Sequence, residues 1–167
     1  MSTAKAVLAG LLCSLAVPAT AAPLPAGTPA PAFSRPDLNG RTVSLPAFRG
    51  GLVLVDFWAT WCAPCVVELS HLTALQARYR GKLQIIGISM DDDAASPRQL
   101  AARYRLNYPV VMGDAALGRL YGGVLGLPQI YLIGRDGKVL RSWRGEFQPA
   151  ELDTAIEADL RQGISKP

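Results

Sequence analysis

Charge, thiols and imidazole are all scarce in this chain of 167 residues. Charged residues make up 18%, aromatic residues 7%, and there are three cysteines and one histidine. The formal charge is +4, but the basic residues do not cluster. Arg98, Arg103, Arg105, Arg119, Arg135, Arg141 and Arg144 stand apart, so the pattern predicts a solvated basic surface and no nucleic-acid partner. So few cysteines and histidines cannot furnish a closed four-ligand zinc site once the leader is set aside. There are no internal repeats and no linker between two patterned regions, so one domain is expected. Half of the residues are hydrophobic, enough for a core without disulfide staples.

A membrane-spanning run is also lacking. The longest apolar stretch, Ala6 to Val17, falls short of the ~20 residues that a helical span needs. With Lys5 before it, Pro18 ending it and Ala19-Thr20-Ala21 after it, the stretch reads as a secretory signal cleaved after Ala21. A retained N-terminal anchor is the alternative. Cys13 lies inside the leader. Leu12 stands before it where a lipoprotein would carry a small residue. The expected mature chain is periplasmic and keeps only Cys62 and Cys65. Residues 22–36, rich in Pro and Ala, read as an extended lead-in, docked only where Phe33 can be buried. The folded domain is expected over 37–163.

What is present is an ordered alternation of elements. Leu38 to Leu45 reads as two short strands around the Asn39-Gly40 turn. Leu52 to Ala59 is apolar with almost no alternation, as in a strand covered on both faces. Val66, Leu69, Leu72, Leu75 and Tyr79 make one stripe of a helix over 63–80, stopped by Gly81. Leu83 to Met90 is a second buried strand, and Ser96-Pro97 opens a helix to about Tyr104. Pro109 to Met112 is a strand, and 116–121 a short helix. Gly126 to Ile133 is a strand entered through Pro128. Arg135-Asp136-Gly137 turns it into a return strand over 138–145. A last helix runs from Pro149 to about Arg161. This is an α/β sandwich with a mixed sheet between helices.

Trp61-Cys62-Ala63-Pro64-Cys65 sits where the first long strand gives way to the long helix. Asp56-Phe57-Trp58-Ala59-Thr60-Trp61-Cys62-Ala63-Pro64-Cys65, Glu68 after it, and the late Gly126-Leu127-Pro128 resemble the thioredoxin superfamily. Within it the chain is similar to the exported TlpA/ResA-like thiol–disulfide reductases, related to the AhpC/TSA redoxins. The resemblance implies a thioredoxin-like sandwich with an N-terminal β-hairpin extension. It departs from the group at Ser70, where proline is common after Glu68, and at Asp56, where asparagine is common.

The chemistry follows from placement. Cys62 at the helix N-terminus meets unpaired N–H groups and the positive end of the dipole, which favour a thiolate nucleophile. Cys65, one turn inside, is the resolving thiol. Asp56, costly in an apolar strand, and Glu68 are expected proton handlers with raised pKa values. The resemblance implies a cis Pro128, with the Leu127 backbone open to a client strand. Trp61 is expected to cover one side of the site. Trp58 is expected in the core, and His71 receives no role. No cofactor is expected beyond the redox-active Cys62–Cys65 disulfide. The expected partners are protein disulfides and a membrane electron donor of the transmembrane thiol-reductant type. The expected state is monomeric. Apocytochrome c and a copper-site protein of a terminal oxidase are candidate clients. Two other readings are a Cu(I)-binding chaperone module and a peroxiredoxin-like peroxidase, though the peroxidase's Pro-x-x-x-Thr-x-x-Cys setting does not precede Cys62.

Overall fold

A computed structural model describes residues 22–162. The expected signal, 1–21, and Cys13 within it lie outside the described residues. The elements are β1 (Ser34–Pro36), β2 (Thr42–Ser44), a 3-10 turn (Leu45–Phe48), β3 (Leu52–Trp58), α1 (Ala63–Arg78), β4 (Leu83–Ser89), α2 (Ala95–Arg103), β5 (Val110–Met112), α3 (Ala115–Leu120), β6 (Gln129–Ile133), β7 (Val139–Arg144) and α4 (Pro149–Gln162). The main sheet has the order β5-β4-β3-β6-β7. β4 and β5 run parallel to β3 through helical crossovers, whereas β6 and β7 are antiparallel neighbours joined by a hairpin. It is the mixed α/β sandwich expected from the sequence, with a two-stranded N-terminal sheet added.

β3 is buried along its whole length, so its side chains supply both cores. Leu52, Leu54 and Trp58 point into one cluster, together with Leu69, Leu72 and Leu75 of α1 and Leu152 and Ile156 of α4. Val53, Val55 and Phe57 point into the other, with Leu117 of α3, Tyr121, and Phe33, Val43 and Leu45 of the N-terminal segment. Full burial of each large aliphatic or aromatic side chain stabilises by about 1.5–3 kcal/mol. The alternation along one strand therefore fixes both faces of the sheet. Gln76 locks α1 to β4. Its Oε1 accepts from Ile85 N at 2.6 Å and its Nε2 donates to the Leu83 carbonyl at 3.0 Å.

The N-terminal hairpin departs from expectation. Its first arm is Ser34–Pro36, ahead of the Leu38 start read from the sequence. The connection is wider than a two-residue turn. Asp37 Oδ1 accepts from the N–H groups of Asn39 and Arg41, both at 2.8 Å, and Gly40 takes a φ of +82°. Pro36 can end β1 because an edge strand does not need every N–H. The lead-in is also bound more extensively than at Phe33 alone. Gly27 N donates to the Val139 carbonyl, Val139 N to that of Thr28, and Ala30 N to that of Gly137. Its beginning lies against the Gly122 turn, where an added Cβ would meet the Ala22 carbonyl oxygen at 2.0 Å.

Candidate redox site

β3 ends at Trp58, and α1 begins four residues beyond Ala59, at Ala63. Pro64 lies in the first turn of α1, where its missing N–H costs nothing. Cys62 is the N-cap residue. Its Sγ accepts from Cys65 N at 3.4 Å. In this oxidised state that sulfur occupies the place from which a Cys62 thiolate would accept the same N–H. The two cysteines form a disulfide with an S–S distance of 2.04 Å and a Cα–Cα distance of 5.3 Å. Both are buried, Cys65 more deeply than Cys62.

Two carboxyl groups carry raised pKa values. Asp56 on β3 is buried, and burial pushes it up to about 7. Glu68, one turn of α1 past Cys65, is pushed up to about 8, by burial first and then by the charges of Asp56 and Glu146. Asp56 Oδ1 and Glu68 Oε2 are buried with no hydrogen-bond partner. Burial without a partner favours the neutral acid. At pH 7 Glu68 therefore holds its proton, while Asp56 is close to half-ionised.

The Leu127–Pro128 peptide is cis. Pro128 is buried at the entrance to β6, and its carbonyl accepts from Gly145 N at 2.8 Å. β6 pairs with β3 from Phe57 to Val53, which brings Pro128 to the end of the sheet that carries the cysteines. Leu127 is half-buried beside it. Trp61 is 70% exposed and Leu125 76%, while Trp58 is fully enclosed. His71 Nε2 stands 2.9 Å from Asp153 Oδ1 of α4. That places the single histidine at a helix–helix contact.

Asp91, just past β4, carries no motif of its own in the sequence, yet it belongs to the site. Its carboxylate accepts from Thr60 Oγ1 at 2.6 Å, from Thr60 N at 3.1 Å and from Ser89 Oγ at 2.7 Å. Thr60 immediately precedes Trp61-Cys62. The loop after β4 thus holds the redox loop in place. The available signal was a threonine before the cysteine motif and an aspartate directly past a parallel neighbour strand.

A dithiol at the N-terminus of the long helix of a thioredoxin-like sandwich, above a buried acid and beside a cis proline, is the architecture of a redox enzyme acting on sulfur. The chain belongs to the AhpC/TSA family, whose pattern matches residues 26–142. It is 33% identical over 132 residues to the thiol-disulfide oxidoreductase ResA of Bacillus thuringiensis subsp. konkukian, covering 78% of this chain and 76% of that one. It is 29% identical over 136 residues to the thioredoxin-like protein YneN of Bacillus subtilis, covering 80% and 79%. A crystal structure of a thioredoxin-family thiol:disulfide interchange protein from Chlorobium tepidum superposes with a TM-score of 0.74 at 27% identity, covering 83% of this chain and 99% of that one. Disulfide-bonded Cys62 and Cys65, together with these homologues, make the chain a thiol–disulfide oxidoreductase.

Proposed function

We propose that this oxidoreductase works as a reductase of protein disulfides in the periplasm. The observation that carries the reading is the Cys62–Cys65 pair at the start of α1, Cys62 capping the helix and Cys65 buried one turn in, with Asp56 on β3 and Glu68 further along α1 as acids of raised pKa. The Cys62 thiolate attacks one sulfur of a client disulfide, and the other client sulfur leaves as a thiolate. Cys65 then gives its proton to a buried carboxylate and attacks Cys62 Sγ. The second client sulfur leaves, two electrons have passed to the client, and the Cys62–Cys65 disulfide remains. A membrane electron donor of the transmembrane thiol-reductant type restores the dithiol. The backbone of Leu127 beside cis-Pro128 offers main-chain pairing to an extended client, and exposed Trp61 offers an apolar cover. Apocytochrome c and a copper-site protein of a terminal oxidase fit as clients, each presenting a cysteine pair that must be reduced before it takes its metal or haem. The protein acts as a monomer. Among the described residues no helix is long and apolar enough to cross a membrane.

The test is the reduction potential of the Cys62–Cys65 couple. A value near roughly −270 mV, as in thioredoxin, supports a reductase, and one near roughly −120 mV, as in a strong dithiol oxidant, overturns it. Membership of the AhpC/TSA family favours one second reading, a peroxidase. Rapid consumption of hydrogen peroxide by the dithiol form would support it. Tight Cu(I) binding with negligible disulfide reduction would instead support a copper-carrying module.

A further inference from the structure

Three buried polar groups that the exchange scheme leaves unpartnered gather over one glycine. Asp56 faces Gly87 across the β3–β4 pair. A Cβ at Gly87 would lie 3.0 Å from Trp58 Nε1, 3.3 Å from Val110 Cγ2 and 3.5 Å from Tyr108 Cε2. Two large aromatic side chains thus pack over β4 where it carries no side chain of its own, beside the residue paired with Asp56. Gly87 N donates to the Pro109 carbonyl at 3.0 Å, which fixes the backbone next to Tyr108 against the same point. Tyr108 is buried, and its hydroxyl, Trp58 Nε1 and Asp56 Oδ1 are each without a hydrogen-bond partner. Here are two donors lacking an acceptor and an acceptor lacking a donor, in one enclosed place. The charge of Asp56 adds to burial in raising the Tyr108 pKa, so the phenol keeps its proton and remains a donor at any physiological pH.

We propose that Tyr108 is a positioning residue for the exchange reaction, its hydroxyl donating to the Asp56 carboxylate whenever that group ionises, directly or through one water. The inference rests on the reductase reading only for its catalytic consequence. A donor to the ionised carboxylate favours it, so Tyr108 keeps a share of Asp56 charged, and able to accept the Cys65 proton, near neutral pH. Trp58 Nε1 on β3 is the other unpartnered donor beside Gly87, and the remaining described elements bring no further donor of fixed charge. From α1 comes Glu68, itself raised by burial and by the charges of Asp56 and Glu146, so that the two acids resist ionising together. α1 also brings the two cysteines. β6 presents Ile130 and β4 presents Gly87, neither of which titrates.

The test compares the full chain with Tyr108→Phe, which keeps the ring. The carboxyl titration of Asp56 is followed by carbon NMR, and the pH profile of disulfide reduction is followed on a model protein disulfide. Loss of one hydrogen bond to a charged group moves the Asp56 midpoint upward by about one pH unit. Burial alone sets a midpoint of about 7, which is the value expected of the variant, so the ionised fraction at pH 7 falls from about nine-tenths to about a half and the exchange rate about twofold. Gly87→Ala, which intrudes between the same groups, moves the titration in the same direction if it folds. An unmoved Asp56 midpoint in Tyr108→Phe overturns the proposal, as does a higher denaturation midpoint, the mark of a hydroxyl that had no partner. The titration needs no client. A protein that reduces nothing would sink the reductase reading while leaving the Tyr108–Asp56 link readable.

Discussion

Glu68 on α1 feels the charge of Asp56 on the strand beneath it, and each is buried enough to resist ionising. Two acids held together in this way cannot both be charged cheaply. The site therefore suits the transfer of one proton at a time, as Cys65 loses its proton to attack and regains it when the dithiol is restored.

Stability should fall as pH rises through the neutral range. Asp56 has an ordinary value of 3.8 and a folded value of about 7, and Glu68 moves from 4.5 to about 8. Between those limits the folded state binds more protons than the unfolded chain, so stability is full below about pH 4 and is lost progressively up to about pH 8. For fully buried Asp56 the loss is of the order of 4 kcal/mol. Half-exposed Glu68 adds a smaller amount. Denaturant titrations at pH 5 and pH 8 measure the fall. Asp56→Asn should remove most of it while slowing exchange, and an equal fall in that variant would refute the assignment.

Replacing Cys65 with Ala should leave clients covalently held on Cys62, because the buried resolving thiol is gone. Non-reducing electrophoresis with mass spectrometry reads the adducts. Cys62→Ser should give none and should abolish turnover.

The two tryptophans should behave oppositely. Trp58→Ala empties a fully buried site and should cost about 3–5 kcal/mol. Trp61→Ala removes a largely exposed side chain and should change stability by no more than about 0.5 kcal/mol. Its effect should show as a raised KM for protein disulfides, with little change for a small disulfide such as oxidised glutathione.

Asp91→Ala releases Thr60 and with it the loop that leads into Cys62. A cost of about 1–3 kcal/mol is expected, together with slower reduction of every client. Faster amide exchange at Thr60 and Trp61 distinguishes loosening of this loop from general destabilisation.

Most of the sandwich was legible because its signals are local. The unbroken apolar run of β3 and the three- and four-residue spacing in α1 follow directly from which faces are buried. The places of Cys62, Cys65 and Glu68 were legible for a similar reason, since each has a fixed offset from the start of α1, whereas the cis form of Pro128 followed from the family resemblance. β1 was misplaced because a proline-bearing segment reads as irregular, and only pairing with β2 makes it a strand. Tyr108 gave no local sign of importance. It looks like any aromatic before a strand, and its link to Asp56 passes over β4 through space. The trace it left was indirect: Gly87, a lone glycine in the apolar stretch Ile85 to Ile88, marks a close approach. Asp91 was hidden in the same way, since its partner Thr60 lies on a different crossover.

The contact between Ala22 and Gly122 settles a question of orientation. The Gly122–Gly123 turn leads into Leu127–Pro128, so the described chain enters the domain on the side that carries the cysteines. From there it runs away along the sheet to Gly27 and the β6–β7 hairpin. The start of the described chain thereby forms part of the wall around the reactive pole, so any residue larger than glycine at position 122 would push that wall outward.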